Sequence, residues 1–408
     1  MLYKQMQKIY LDNSATTPVD KEVLKTMAKY WSSNFANPSS IHSMGVTAKI
    51  ALQKSRKIIA DLINGHDREI IFTSGGTEAN NLAIFGLIND VRKSNRKYSE
   101  IHIITTEIEH SSILECLKEI ESRGGKIDYL KVDEFGLINP KDLREMIKPE
   151  TLLVSIGYAN GEIGVVQSIK EIAKEIRNKR REYSGSRFGQ PYLHIDASAG
   201  GLYLNINVEE LGVDLMTLDA QKIYGPKGVG ALFVRDGIKI SPMIFGGGQE
   251  RGIRSGTENI PLIVGFAKAF EIARKMKDKE SLRLIKIRDE FFKLVKRFVP
   301  NVVINGSLDA RLPSNINISV PDQDGEMLVF RLDEAGIICS SSSACASGSG
   351  ESVVVRKLAE KTGASKEEID SRAKSTLRFS LGKATKMNNI KKLLKVLKKL
   401  TGDSKVCF

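Results

Sequence analysis

Between about residues 65 and 235 the chain alternates short, continuous apolar runs with segments whose apolar residues recur at helical spacing. Glu69-Ile70-Ile71-Phe72-Thr73, Ile101-His102-Ile103-Ile104-Thr105, Leu152-Leu153-Val154-Ser155-Ile156, Tyr192-Leu193-His194-Ile195 and Leu215-Met216-Thr217-Leu218 read as buried strands, with Val229 to Val234 beside them. Ile113, Leu114, Leu117 and Ile120 repeat at helical spacing until Gly124-Gly125 closes the helix. Continuous apolar strands separated by helices predict a mostly parallel sheet covered on both faces. Residues 261–299 carry a long helical pattern. Alternation in Ile316-Asn317-Ile318-Ser319-Val320 and Thr376-Leu377-Arg378-Phe379-Ser380 predicts a separate small sheet. The pattern therefore predicts a large α/β domain over 17–262 and a smaller α+β domain from 1–16 and 263–408.

Composition changes this picture little. A hydrophobic content of 41% and a charged content of 27% suit a globular protein with a large core. No apolar run reaches the roughly 18 residues of a membrane span, and the start lacks a secretory leader, so a cytoplasmic location is expected. The formal charge of +13 is spread through helices interleaved with Glu, as in Lys170-Glu171-Ile172-Ala173-Lys174-Glu175. That is the pattern of a solvated helix face, and specific nucleic-acid binding is not expected. The denser basic stretches 177–181 and 391–399 offer charge to an acidic partner.

The strand ending at Thr73 runs into Ser74-Gly75-Gly76-Thr77 and a helix, which is either a phosphate cradle or a tight turn capped by Thr77. Asp196 follows another strand end, where a carboxylate can hold a pyridine nitrogen protonated or cap the next segment. His110 follows a third and can face a cofactor ring or cap the helix after it. Lys222 stands in Asp219-Ala220-Gln221-Lys222-Ile223-Tyr224-Gly225-Pro226-Lys227-Gly228, a rigid setting for a Schiff-base amine. Arg378 can grip a carboxylate with two parallel hydrogen bonds, or form an ordinary ion pair.

Four cysteines show no pairing or zinc spacing. Cys116 and Cys339 sit in apolar runs and read as buried, while the near-terminal Cys407 reads as exposed and silent. Cys345, in Ser340-Ser341-Ser342-Ser343-Ala344-Cys345-Ala346-Ser347-Gly348, has no apolar setting to bury it and reads as a nucleophile on a loop. Residues 183–191 read as a polar surface insert.

In order along the chain, Tyr10-Leu11-Asp12-Asn13-Ser14-Ala15-Thr16-Thr17-Pro18, Thr73 to Asn81, Glu109-His110, Asn160-Gly161-Glu162-Ile163-Gly164, the lysine motif, Arg254-Ser255-Gly256-Thr257 and Arg378 to Gly382 together resemble the cysteine desulfurases. The long serine-rich cysteine loop resembles the branch serving iron–sulfur assembly and tRNA thiolation. The resemblance implies the pyridoxal-phosphate-dependent transferase fold, like that of aspartate aminotransferase, and conversion of L-cysteine to L-alanine with a persulfide on Cys345. It gives Lys222 the Schiff base, Asp196 the pyridine nitrogen, and His110 the ring face. Asn160 is given the ring oxygen or the substrate carboxylate, Gly76 and Thr77 the phosphate, and Gln221 a place beside the cofactor. Arg378 takes the substrate carboxylate, and Thr257 reaches the phosphate of a partner subunit in a homodimer. A sulfur-acceptor protein is the implied partner, and no metal is implied. The chain departs from the family at Asp196-Ala197-Ser198-Ala199, which lacks a glutamine, and at Asp219 and Gln221. A carboxylate at 219 predicts weaker cofactor retention. Two rivals follow: a selenocysteine lyase, and a binding subunit that has lost the chemistry.

Overall fold

The computed structural model describes residues 8–185, 191–299, 301–341 and 350–402. Cys345, Cys407 and most of the insert 183–191 lie outside the described residues. Among the described residues, seven strands form one sheet: β1 (Ile70–Thr73), β2 (His102–Thr106), β3 (Lys126–Leu130), β4 (Thr151–Gly157), β5 (Tyr192–Asp196), β6 (Leu215–Asp219) and β7 (Gly230–Val234). Their order across the sheet is β1-β7-β6-β5-β4-β2-β3. β2 through β6 pair in parallel, whereas β7 runs antiparallel to both β1 and β6. The sequence places β7 beside the others but does not reveal its reversed direction. Its short return from Asp219 leaves no room for a crossover helix, and that enforces the reversal.

Burial explains the continuous apolar runs. Every residue of β1, β2, β6 and β7 is buried, because helices cover both faces. One of these helices, α1 (Gly76–Arg92), follows β1, and α2 (Ser111–Ser122) follows β2. Cys116 packs in α2 and Cys339 packs in the second core, both buried as expected, and burial pushes both thiols up to about 12.

A second core surrounds a three-stranded antiparallel sheet of β8 (Val303–Ile304), β9 (Asn315–Ser319) and β10 (Thr376–Ser380). The long helix α3 (Ile260–Phe298) serves both cores. Ile260 to Ala273 pack with the large sheet, and Leu284 to Val295 pack with Phe379 and the small sheet. Asn259 caps α3 by accepting from the Leu262 amide, with Pro261 in the first turn, where its missing N–H costs nothing. The basic helix α4 (Met387–Gly402) lays Ile390, Leu393, Leu394 and Leu397 on that second core.

Candidate active site

Six strands of the large sheet share one direction, so their carboxyl ends lie along one edge, where backbone groups open outward and loops diverge. The chain spends its polar residues there. β1 ends at Thr73 ahead of Gly76 and Thr77, β2 leads to Glu109 and His110, and β4 leads to Asn160. β5 ends on Asp196, and β6 ends on Asp219 just before Lys222. Gly76, Thr77, Glu109, His110, Asn160, Asp196, Asp219 and Lys222 line one cleft together with Arg378, which β10 contributes from the small sheet. Gln221 lines it too. Thr257 does not. It is exposed and lies outside its own chain's cleft.

Asp196 sits at the cleft floor. Its Oδ2 accepts from Asn80 Nδ2 at 2.9 Å and its Oδ1 from the Ser198 amide at 2.9 Å. Burial pushes its carboxyl up, but the Lys222 charge and the bonds from Ser198 and Asn80 outweigh this and hold the pKa below the ordinary value. Lys222 has no hydrogen-bond or ion-pair partner among the described residues, so its amine is available to a ligand.

His110 both caps α2 and faces the cleft. Its Nδ1 accepts from the Ser112 amide at 3.1 Å, which places the proton of the neutral ring on Nε2. Burial lowers its pKa, and the nearby Asp196 only partly opposes this, so the ring stays neutral. Asn160 is held by its own loop. Its Nδ2 donates to the Ile108 carbonyl at 2.8 Å and its Oδ1 accepts from the Glu162 and Ile163 amides, which leaves one amide hydrogen for the cleft.

Sequence reasoning passed over Glu109. This side chain is half-buried beside the floor, accepting from Thr106 Oγ1 at 2.6 Å and from the Gly157 amide at 2.8 Å. An added Cβ on Gly157 would lie 2.9 Å from Glu109 Oε2, so only glycine lets the carboxylate sit there. Burial, aided by Asp196, pushes the Glu109 pKa up to about 7 despite those two bonds. The Glu-His pair in the sequence was the available signal.

Arg378 is buried at 3% exposure, opposite Asn317 in the ladder. Its Nη2 donates to Asp12 Oδ1 at 2.8 Å and to Ser340 Oγ at 3.2 Å, while its Nε is buried without a partner. An unsatisfied buried guanidinium N–H is a ready donor for an incoming carboxylate. Ser340 also pairs with Arg378 through the backbone, and Ser352 donates to Glu162, another residue of the cleft wall. Both flanks of the segment carrying Cys345 are thus fastened at the cleft rim.

At the opposite end, α1 begins with Gly75 as its cap and no side-chain bond. Thr77 lies inside the first turn and does not cap it, so the first-turn amides are left free to receive an anion.

The family model for aminotransferase class-V matches residues 9–393. The chain belongs to the class-V aminotransferase family. It is 39% identical over 389 residues to cysteine desulfurase IscS 1 of Archaeoglobus fulgidus, covering 95% of each chain. Among solved structures it resembles a NifS-like protein at a TM-score of 0.86 and 31% identity, covering 97% of this chain and 99% of that one. It also resembles SspA in complex with cysteine, at a TM-score of 0.75 and 33% identity over 91% of this chain and 98% of that one. The fold is that of these proteins. The cofactor of this class-V fold, pyridoxal phosphate, fits the donor set: a free lysine, an ionised carboxylate, a neutral imidazole and a capless helix terminus line one cleft. Asp219 at the anion end is the discordant member.

Proposed function

We propose that this protein is a pyridoxal-phosphate-dependent cysteine desulfurase that passes sulfur to an acceptor protein. The observation that carries the reading is the convergence of an unpartnered Lys222 and an ionised Asp196 with Arg378, whose Nε lacks a partner, in one cleft. Pyridoxal phosphate, when bound, supplies an electron sink for an amino-acid carbanion. Lys222 would hold its aldehyde, and the same amine is the base placed to move a substrate α-proton. Asp196 would keep a proton on the pyridine nitrogen, and the neutral His110 ring would lie against the cofactor. Gly76 and Thr77 would present their amides to the phosphate, Gln221 would border the cofactor, and Asn160 would offer its remaining amide hydrogen to the ring oxygen or substrate carboxylate.

Arg378 would fix the carboxylate of L-cysteine. Cys345 lies five residues beyond Ser340, so extended chain lets its sulfur reach about 17 Å from that anchor. Its thiolate attacks the substrate sulfur, the S–S bond forms as the C–S bond breaks, and the former β-carbon takes a proton to give alanine. The persulfide left on Cys345 then moves to the acceptor. A thiol with this task belongs in a reducing compartment, so we place the protein in the cytoplasm. No helix of the described residues is long and apolar enough to cross a membrane.

The protein acts as a homodimer in this reading. Trp31, Phe35, Ile41 and Phe245 are 58%, 65%, 98% and 82% exposed, and a second copy would cover such large apolar side chains. Thr257, exposed and outside its own cleft, is then available to the phosphate of that copy. Mass analysis after a single turnover of L-cysteine tests the assignment. The Cys345 peptide gains one sulfur atom if the reading holds, and an unmodified Cys345 with sulfide already released contradicts it.

A further inference from the structure

Two side chains converge on the first turn of α1. An added Cβ on Gly76 would lie 2.9 Å from Ser198 Oγ and 3.4 Å from Asp219 Oδ2, so both groups border the same backbone position. Both residues line the cleft. Asp219 is 7% exposed, and its oxygens accept from the Gln221 amide and from Gln221 Nε2, each at 3.1 Å. Those donors are neutral, and no cation forms an ion pair with Asp219 among the described residues. The other acid of this turn, Glu78, is matched by Arg254 at 2.9 Å and also accepts from the Ser74 amide. Asp219 is therefore the uncompensated negative charge at a helix terminus that otherwise favours an anion.

Ser198 presents the opposite imbalance. It is 6% exposed, and its hydroxyl makes no well-aligned hydrogen bond, although it lies near enough to the Asp196 carboxylate to help hold that group ionised. A buried hydroxyl left unpaired is costly unless a ligand satisfies it. The backbone explains its placement. Its own amide is tied to Asp196 Oδ1, so the residue that orients the floor carboxylate also brings its side chain alongside α1.

We propose that Ser198 donates its hydroxyl hydrogen to the cofactor phosphate and that Asp219 opposes the same phosphate through like charge. This rests on the reading of the chain as a pyridoxal-phosphate enzyme. Neutral donors then hold the phosphate against a fixed carboxylate, and position 219 sets how tightly the cofactor is kept. Neither role requires Asp219 or Ser198 to take part in bond making.

Equilibrium titration of the full-length apo-protein tests this, using the Lys222-dependent absorbance change as the signal. Pyridoxal phosphate is one probe, and pyridoxal, which lacks the phosphate, is the other. Asp219→Asn tightens pyridoxal phosphate by about tenfold, and Ser198→Ala weakens it by about tenfold. Ser198→Thr, which keeps the hydroxyl, stays nearer wild type than Ser198→Ala. Pyridoxal affinity changes less than about twofold in the Asp219 and Ser198→Ala variants, because the phosphate is the part of the cofactor that feels these two groups most. If either variant fails to shift pyridoxal phosphate, or shifts pyridoxal equally, the assignment of that residue falls. A Lys222-dependent signal with a flat variant series overturns this inference alone. No such signal in wild type with either probe overturns the cofactor reading as well.

Discussion

At the residue scale, the cleft is built from side chains whose charge states are set by their neighbours. Asp196 stays ionised because Lys222, Ser198 and Asn80 outweigh its burial, whereas Glu109, with weaker support, is pushed up to about 7. Linkage gives the sign for Glu109. Between its ordinary value of 4.5 and about 7 the folded state keeps a proton that the unfolded chain has lost. Stability therefore falls as pH rises through that window, by on the order of 3 kcal/mol in total. Urea unfolding at about pH 5 and about pH 8 should show this extra loss in wild type and its absence in Glu109→Gln; identical slopes would show that Glu109 does not titrate there. Arg378 gives a second prediction. Arg378→Lys removes the fork geometry and should raise KM for L-cysteine about tenfold or more, as steady-state kinetics would reveal. Lys222, Asp196 and His110 were legible as candidates because their residue types suit the chemistry and they follow strand ends in the sequence, and Arg378 because a guanidinium interrupts an otherwise apolar strand. Glu109 and Ser198 were not, since what marks them is burial and an unmatched hydroxyl, and these exist only once β2, β4 and β5 are side by side.

At the element scale, alternation and continuous apolar runs made the strands readable, and helical spacing made α2 and α3 readable. The reversal of β7 was not legible, because a strand buried on both faces has the same composition in either direction. The extent of α3 is the clearest case of a pattern continuing past a change of partner. Its first half packs on the large sheet and its second half on the small one, so a defect at its start is felt in both cores. Asn259→Ala removes the bond to the Leu262 amide and should cost about 1 kcal/mol in denaturant unfolding. An unchanged midpoint would show that packing alone sets this helix end. The rim is also an element-scale property. Ser340 and Ser352 look like ordinary loop serines in sequence, and only the ladder to Arg378 and the bond to Glu162 give them a purpose.

At the scale of the whole molecule, two cores joined by one helix bring Arg378 from the small sheet over residues that the large sheet supplies. The same scale predicts assembly. Sedimentation should report a dimer, and Phe245→Asp should shift it toward monomer while slowing turnover, because Thr257 would no longer reach its partner's phosphate; a fully active monomer would refute that role. The central claim is that the cleft activates L-cysteine and that Cys345 removes its sulfur. Alanine formation from L-cysteine, with pyridoxal phosphate and dithiothreitol present, tests it most directly for wild type beside Cys345→Ser. Wild type should produce alanine steadily and the variant little or none. Equal production by both would contradict the role of Cys345, and none from either at saturating cofactor would contradict the enzyme itself.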